Sequence, residues 1–280
     1  MANFCHIAPT AYLGLTQYYK SHLLLAHLVE TDKKYVNFYN SDVLPGSLKI
    51  LDNSAFEMYK QGRPMYPSDQ LVEMGKKVKA NYIVMSDYPN EHSQVTIDAA
   101  IKLHKPFKDN GFGTFFCPQS QINDFDDLVH AFKWASENPE IVDYIGVSIL
   151  AIPNAYGVEK GNKLQRFVSR SMFMHTLRQE GILDRIKENG QKIHMLGMVD
   201  GPNEIILMNP FKGYIDTWDS SAAIWAGLND ITFDHSPTGM TNGKYEKEVD
   251  FHMDNVENSG HILKATLNMA YIDTLVRKYI

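Results

Sequence analysis

Short apolar runs alternate with longer amphipathic segments along most of the chain, and this alternation predicts β-strands separated by α-helices. The predicted strands are Phe4–Ala8, His22–Val29, Leu48–Asp52, Tyr82–Asp87, Thr114–Pro118, Tyr144–Ile149, Lys192–Gly197 and Tyr214–Asp219. The predicted helices are Ser68–Lys79, His92–Lys108, Asp124–Ala135, Ser169–Glu180 and Gly201–Met208. Regular strand–helix alternation is typical of a parallel sheet with crossover helices, and eight strands favour a closed (β/α)8 TIM barrel over an open sheet.

The C-terminal part of the chain departs from this alternation. Residues 234–250 are polar and rich in Gly, Pro and Thr, which predicts an exposed loop. Residues 255–279 carry apolar side chains along one side and predict a helix that closes the fold. No internal repeat or linker divides the sequence, so we expect residues 1–280 to form a single domain.

Composition limits the classes of protein to be considered. Hydrophobic residues make up 44% of the chain and charged residues 21%, as in globular proteins with a large core. No apolar run approaches the roughly 20 residues that span a bilayer, and the N-terminus lacks the features of a secretion signal. The only cysteines are Cys5 and Cys117, which excludes a zinc site made of three or four cysteines. We therefore expect a cytoplasmic protein without a metal or redox cofactor.

The charge distribution gives two opposing indications about nucleic acid. A net charge of −6 argues against general affinity for it. Residues 155–192, however, contain eight Lys/Arg and only four Asp/Glu, and Lys163, Arg166 and Arg170 are candidate contacts to a phosphate backbone. The same basic segment is equally compatible with an ordinary solvated helix surface.

Three of the predicted strands end at an aspartate that small or turn-forming residues follow: Asp52, Asp87 and Asp219. In a parallel barrel all strand C-termini open onto the face that holds the active site. We therefore expect the three carboxylates to converge. Such a cluster suits a reaction with a positively charged transition state, in which one carboxylate attacks and another transfers protons.

The strand-end motifs resemble those of tRNA-guanine transglycosylases. Asp52-Asn53-Ser54-Ala55-Phe56-Glu57 is similar to their Asp-Ser-Gly-Gly-Phe/Tyr-Gln segment, and Ser86-Asp87-Tyr88-Pro89 stands at the place of their base-recognising aspartate. Phe116-Cys117-Pro118-Gln119 resembles the strand that ends in Val-Gln-Gly, and Tyr144-Ile145-Gly146-Val147 the strand with a base-binding glycine. His194-Met195-Leu196-Gly197 resembles Tyr-Leu-Met-Gly, and Asp216-Thr217-Trp218-Asp219-Ser220 resembles Asp-Met-Phe-Asp-Cys, which bears the nucleophile.

The sequence also departs from this family. The tRNA enzymes are longer and carry a zinc subdomain with three cysteines and a histidine, whereas this chain has no cysteine after Cys117. A short, zinc-free chain is similar to the phage-type members, which exchange guanine in DNA for a 7-deazaguanine. Asn53, Ser54 and Ala55 replace the Ser-Gly-Gly of the family, so the floor of the predicted pocket differs from that of the tRNA enzymes.

The resemblance implies a role for each matching residue. Asp219 would be the nucleophile that forms a covalent glycosyl intermediate, and Asp52 the general acid/base. Asp87 would accept hydrogen bonds from the ring N–H and the exocyclic amine of guanine, on a pocket floor that includes Asn53. Gln119 and the Gly146 N–H would bind the carbonyl oxygen, and Phe56 and Leu196 would sandwich the purine. Each has an ordinary structural alternative: a helix cap for Asp219, an Asx-turn for Asp52, a turn before Pro89 for Asp87, and barrel core for the two apolar residues.

The resemblance thus predicts a guanine transglycosylase that inserts a deazaguanine such as preQ0 or preQ1 into DNA, with tRNA as a less favoured substrate. The resemblance implies a cytoplasmic enzyme, in the cytoplasm of the host if a phage encodes it. It implies no cofactor and is compatible with a homodimer. Two alternatives remain open: a hydrolytic DNA glycosylase on the same fold, in which water resolves the intermediate, and an inert nucleic-acid-binding barrel in a modification complex. A metal-dependent hydrolase is disfavoured because no His-x-His or paired His/Asp spacing is present.

Overall fold

Eight parallel strands form the sheet of the protein. A computed structural model describes residues 2–159, 161–198, 201–243, 247–253 and 258–280. The strands are β1 Asn3–His6, β2 Ser21–Leu25, β3 Leu48–Asp52, β4 Tyr82–Val84, β5 Gly113–Phe116, β6 Tyr144–Ser148, β7 Lys192–Leu196 and β8 Ile215–Ser220. Their order is β1-β8-β7-β6-β5-β4-β3-β2, and β1 also lies against β2, so the sheet curves into a nearly closed barrel. The predicted (β/α)8 TIM barrel is confirmed.

Helices alternate with the strands around the barrel. They are α1 Ala26–Thr31, α2 Lys33–Asn37, α3 Ala55–Lys60, α4 Ser68–Val78, α5 Ser93–Asp109, α6 Phe125–Glu137, α7 Ala151–Ala155, α8 Lys163–Gln179, α9 Ile182–Glu188, α10 Glu204–Leu207, α11 Ala222–Leu228 and α12 Ser259–Tyr279. Short 3₁₀ helices span Thr10–Thr16 and Asn209–Phe211, and a π-helical turn spans Phe38–Asp42. Among the described helices, none is both long and apolar enough to cross a bilayer.

Some predicted boundaries were wrong. The apolar run His22–Val29 is a strand only as far as Leu25 and then continues as α1, because an unbroken apolar run does not distinguish a strand from a buried helix. The helix predicted at Ser169–Glu180 begins earlier, at Lys163, where the Asn162 side chain accepts a hydrogen bond from Gln165 N. The helix predicted at Gly201–Met208 is only one turn.

The C-terminal region follows the predicted plan. Beyond β8 and α11, the chain from Asp234 to Gly243 runs through turns, and the Asp234 carboxylate accepts hydrogen bonds from Ser236 N and Thr241 N. The closing helix α12 begins at Ser259, and the predicted start at residues 255–257 lies outside the described residues. Gly227 lets α12 approach α11 closely, because a Cβ there would lie 2.1 Å from Ala265 N.

The last helix also contacts the first strand. His6 Nε2 lies 3.1 Å from Asp273 Oδ1, and Tyr19 donates a hydrogen bond of 2.7 Å to Asp273 Oδ2. Because β1 pairs with β8 and contacts α12, the two ends of the described chain meet on one side of the barrel.

Strand register places alternate side chains inside the barrel in layers. The inward-facing positions include apolar Leu23, Ile50, Val84 and Phe115 but also Gly146, His194, Thr217 and Cys5. TIM barrels usually fill these positions with branched apolar residues. The β6–β7–β8 side of this interior is therefore unusually polar, and it lies directly below the C-terminal ends of the strands.

Candidate active site

A cavity of about 220 Å³ opens at the C-terminal end of the barrel, the face where TIM-barrel enzymes place their active sites. Its wall combines carboxylates, amides and apolar side chains. The main lining residues are Asp52, Asn53, Phe56, Tyr59, Asp87, Cys117, Gln119, Ser148, Asn154 and Leu196. The volume is below the roughly 300–1,000 Å³ of sites for drug-sized ligands, so the cavity suits a single small ring system.

The turn after β3 positions the first carboxylate. Ser54 N donates a hydrogen bond of 3.0 Å to Asp52 Oδ2, and Ala55 N donates one of 2.8 Å to Asn53 Oδ1. Ser54 itself has a φ of 56°, a left-handed conformation that glycine adopts more easily. These contacts turn the chain sharply from β3 into α3. The Asx-turn expected as the structural alternative for Asp52 is thus present, and the carboxyl group still lines the cavity.

Asp52 favours its protonated form. Burial raises the pKa of its carboxyl well above the usual range, and the nearby carboxylates of Glu57, Asp87 and Asp219 raise it further. The hydrogen bond from Ser54 N opposes these effects without reversing them. Burial also raises the pKa of Glu57. A protonated Asp52 can donate its proton to a group in the cavity.

The second carboxylate is held between two amides. Asn53 Nδ2 donates to Asp87 Oδ1 at 2.8 Å, and Gln119 Nε2 donates to Asp87 Oδ2 at 2.6 Å. Asn53 Nδ2 also lies 2.7 Å from Met85 O, so the same amide fastens β3 to the end of β4. Burial raises the pKa of Asp87, while both amide donors lower it. The three side chains form one rigid group on the cavity wall, as expected for a recognition element.

The third carboxylate, Asp219, lies at the end of β8 and is not one of the residues that line the cavity. Asp219 Oδ1 accepts hydrogen bonds from His194 Nε2 at 2.9 Å and from Gly197 N at 3.0 Å. The cap expected as an alternative role is made by another residue, because Ser220 Oγ accepts the hydrogen bond from Ala222 N at the start of α11. Asp219 is 5% exposed and is close enough to Asp52 to raise the pKa of that carboxyl. The structure therefore brings the three predicted aspartates together.

The predicted sandwich residues both line the cavity, whereas the predicted base-binding glycine does not. Phe56 is 44% exposed at the mouth and Leu196 is half-buried in the wall. Gly146 lies inside β6, beneath Leu196, and a Cβ there would be 2.6 Å from Leu196 Cδ1 and 2.7 Å from Phe115 Cε1. At this level of the barrel, Ser148 lines the cavity instead. Gly146 is thus not one of the residues that line the cavity, and its lack of a side chain makes room for Leu196.

The basic segment does not form one continuous surface. Arg170 is fully buried and paired with Glu204, so the prediction that it contacts a phosphate backbone was wrong. Lys192 lies at the opposite end of the barrel, at the start of β7. Lys163 is exposed and Arg166 half-exposed at the start of α8, and these two remain candidates for backbone contacts.

Sequence reasoning missed two residues of the site. His194 was given no role of its own from the sequence, although it stands two positions before Leu196 and so faces the same interior side of β7. Glu57 was seen only as part of a motif, whereas its carboxylate is the nearby charge that most raises the pKa of Asp52. Strand alternation could have revealed His194. The effect of Glu57 depends on distance across the turn and has no comparable signal in the sequence.

A second depression, of about 430 Å³, lies at the N-terminal end of the barrel, where Leu48, Tyr82, Asp143 and Lys192 line it. Active sites of TIM barrels are found at the other face, so this depression is not the candidate active site.

Across the described ranges, no three His, Cys, Asp or Glu side chains are grouped to hold a metal ion. No family model matches the chain and no curated protein matches it.

Proposed function

We propose that the protein is a base-exchanging transglycosylase that replaces guanine in DNA with a 7-deazaguanine through a covalent glycosyl–Asp219 intermediate. One observation carries the proposal: Asp52 and Asp87, after β3 and β4, line a cavity for one small ring system, and Asp219, at the end of β8, is close enough to raise the pKa of Asp52. The strand-end motifs add support, since each of these aspartates occupies the matching place in the transglycosylase pattern.

In the first half of the reaction, Asp219 attacks C1′ of the nucleotide. The bond from C1′ to the base nitrogen breaks, its electron pair goes to the base, and Asp52 supplies the proton that the departing guanine needs. In the second half, the incoming base attacks C1′ and its proton returns to Asp52, while the electron pair of the ester bond returns to Asp219. Two inversions at C1′ give net retention, as in retaining glycosidases. The raised pKa of Asp52 suits it to the first proton transfer.

The cavity wall suits a donor-rich base edge. Asp87 has two acceptor oxygens, each fixed in place by one amide, which match the ring N–H and exocyclic amine of guanine. Phe56 and Leu196 flank the opening, where an aromatic ring and an apolar side chain would hold a flipped base between them. The incoming base would be a preQ0- or preQ1-type deazaguanine that uses the same edge.

DNA is the proposed polymer, with tRNA second. Lys163 and Arg166 would meet phosphates at the start of α8, a contact that fixes position without specifying sequence. Action in the cytoplasm and assembly as a homodimer belong to the same proposal.

The test is incorporation of a labelled base. Purified protein is incubated with labelled preQ0 and either duplex DNA or tRNA, and the nucleic acid is digested to nucleosides for mass spectrometry. We expect label in DNA when both polymers are offered, and guanine release only when preQ0 is present. Label in tRNA alone would overturn the choice of DNA. Guanine release with abasic sites and no added preQ0 would identify a hydrolytic glycosylase, and binding without either product would identify an inert barrel.

Two variants test the assigned roles. Asp219→Asn should abolish the covalent adduct but retain binding, since the change is nearly isosteric, and Asp52→Asn should lose turnover through loss of proton transfer. Asp216→Asn is the matched control, because Asp216 lies in the same strand but accepts its hydrogen bond from Ile193 N. An active Asp219→Asn protein would remove the nucleophile and with it the proposed mechanism.

A further inference from the structure

We infer that His194 is the positioning residue of the nucleophile: it fixes one oxygen of Asp219 and stabilises the carboxylate when it leaves C1′. This inference rests on the proposed function and goes further into the same site. It concerns a residue of the buried column that runs from Asp219 through His194 and Thr217 to Tyr144. The transglycosylase motif has Tyr at the position of His194, so the resemblance assigns no imidazole here.

The column is continuous and buried. His194 Nε2 lies 2.9 Å from Asp219 Oδ1, and His194 Nδ1 lies 2.6 Å from Thr217 Oγ1. Thr217 Oγ1 is in turn 3.4 Å from Tyr144 Oη. His194 is fully buried, and Thr217 and Tyr144 are each 1% exposed. Phe115 packs edge-on against the imidazole, with ring centroids 5.5 Å apart, and restricts its rotation.

The Asp219 carboxylate only accepts hydrogen bonds, so it requires a proton on Nε2 of His194, and the Thr217 hydroxyl can pair with Nδ1 in either charge state of the ring. In neutral His194, Thr217 donates to Nδ1, which leaves the ring proton on Nε2. In charged His194, Nδ1–H donates to Thr217, whose own proton then points to Tyr144. Nε2–H faces Asp219 Oδ1 in both forms. Thr217 therefore holds the orientation of the imidazole while Asp219 sets which ring nitrogen carries the proton.

The two oxygens of Asp219 are therefore different. Oδ1 accepts from both His194 Nε2 and Gly197 N, while Oδ2 accepts no hydrogen bond from the described residues. Oδ2 is the oxygen that attacks C1′, and Oδ1 becomes the carbonyl oxygen of the glycosyl ester. When the incoming base attacks C1′, the bond from Oδ2 to C1′ breaks and its electron pair spreads over the carboxylate. Two donors on Oδ1 stabilise that charge, so they speed the breakdown of the intermediate more than its formation.

The test compares three variants on guanine-containing duplex DNA, with labelled preQ0 for exchange and a denaturing gel for the covalent adduct. His194→Leu removes the donor to Oδ1, whereas His194→Gln can return an N–H to that place. Thr217→Val nearly conserves volume but removes the hydroxyl that pairs with Nδ1 and orients the ring. Melting temperatures of all variants are measured in parallel.

We expect His194→Leu to lower the exchange rate roughly 10- to 100-fold, the size expected for one hydrogen bond to a charged group. The fraction of protein in the covalent adduct should rise at the same time, because breakdown slows more than formation. Thr217→Val should change both quantities in the same directions by less, and His194→Gln should restore most of the rate.

If a variant instead loses its fold, its exchange rate, its adduct fraction and its melting temperature should all fall together. That result in His194→Leu and Thr217→Val, or unchanged exchange and adduct in both, overturns the role of His194. A wild-type protein that forms no adduct and exchanges no base on DNA or tRNA overturns the proposed function itself, and this inference with it.

Discussion

Arg170 and Glu204 form a fully buried, bidentate ion pair, in which Nε and Nη2 of the arginine each lie 2.7 Å from a carboxylate oxygen. The other donors of Arg170 bind the carbonyl oxygens of Val147, Leu196 and Gly197, at 3.0, 2.9 and 2.8 Å. The pair therefore ties α8 and α10 to the C-terminal ends of β6 and β7. The Gly197 N–H is one of the two donors to Asp219, the candidate nucleophile. The ion pair therefore helps to hold in place a residue that contacts Asp219.

Glu204→Gln tests this support. The change conserves volume but leaves the Arg170 charge buried without its counter-ion, which typically costs about 3–5 kcal/mol of unfolding free energy. Urea unfolding measures it. The control is Glu137→Gln, which breaks a solvent-exposed pair with Arg185 and should cost only about 0–1 kcal/mol. Equal losses in the two variants would contradict a structural role for the buried pair.

Glu57→Gln tests the electrostatics of the proposed acid. Burial is the main cause of the raised pKa of Asp52, and the carboxylate of Glu57 is the largest contribution from a nearby charge. Removing that charge lowers the pKa of Asp52, so Asp52 loses its proton at a lower pH. The acid must be protonated to act. The exchange rate, plotted against pH, should therefore begin to fall at a lower pH in the variant than in wild type, so the alkaline limb of the profile shifts to lower pH. Glu73→Gln, which breaks an exposed pair with Lys76 on α4, should leave the limb in place.

Asp52→Asn should also change how stability depends on pH. The folded state holds the Asp52 proton more tightly than the unfolded state does, since its folded pKa is raised. Stability is therefore lost as pH rises from the unfolded pKa of about 4 through the folded pKa. We expect the variant to be more stable than wild type at neutral pH and equal to it below about pH 4, where the carboxyl is protonated in both states. Urea unfolding at the two pH values checks the sign, and a gain present only at acid pH would contradict it.

Gly146→Ala should damage both the core and the cavity. The added Cβ would lie 2.7 Å from the buried Phe115 ring and 2.6 Å from Leu196, which lines the cavity, so we expect Leu196 to be displaced. Overpacking of this kind typically costs about 1–3 kcal/mol of stability. The displaced Leu196 should also raise the KM for preQ0. Gly14→Ala is the control, because a Cβ there meets no atom within 4 Å. An unchanged KM in Gly146→Ala would show that Leu196 does not contact the base.

Paired substitution of Lys163 and Arg166 by alanine tests the proposed DNA contacts. If both meet phosphates, binding should weaken for every sequence, and the slope of log affinity against log salt should fall by about 0.9 for each lost contact. Fluorescence anisotropy with duplex DNA at several salt concentrations measures both quantities. Lys192→Ala, at the other end of the barrel, serves as control. Equal salt slopes in all three proteins would assign the start of α8 to ordinary solvated surface.

The strand pattern determined most of the fold because its signals are local. Leu48–Asp52 was predicted with the observed bounds, as a short apolar run that ends in turn-forming residues. The depth of each residue in the barrel cannot be predicted from local signals, because it depends on the stagger between neighbouring strands. Gly146 was therefore placed at the cavity level that Ser148 occupies.

The burial of Arg170 could have been predicted from the sequence. Phe167, Arg170, Met174 and Leu177 recur at the spacing of one helix face, and the structure buries all four. Arg170 thus belongs to the apolar stripe of α8, although its charge suggested surface. Its partner Glu204 lies 34 residues further along the chain, and no local pattern predicts that pairing.

The contact of β1 with β8 and α12 has a consequence for synthesis on the ribosome. β1 is synthesised before the other seven strands, yet its ladder partner is residues 215–220, and the Asp273 that binds His6 comes later still. β1 can therefore complete its pairing only after β8 and α12 have been made. Until then, the growing polypeptide has an unpaired, aggregation-prone edge at β1, and a chaperone that shields nascent strands should increase the yield of folded protein.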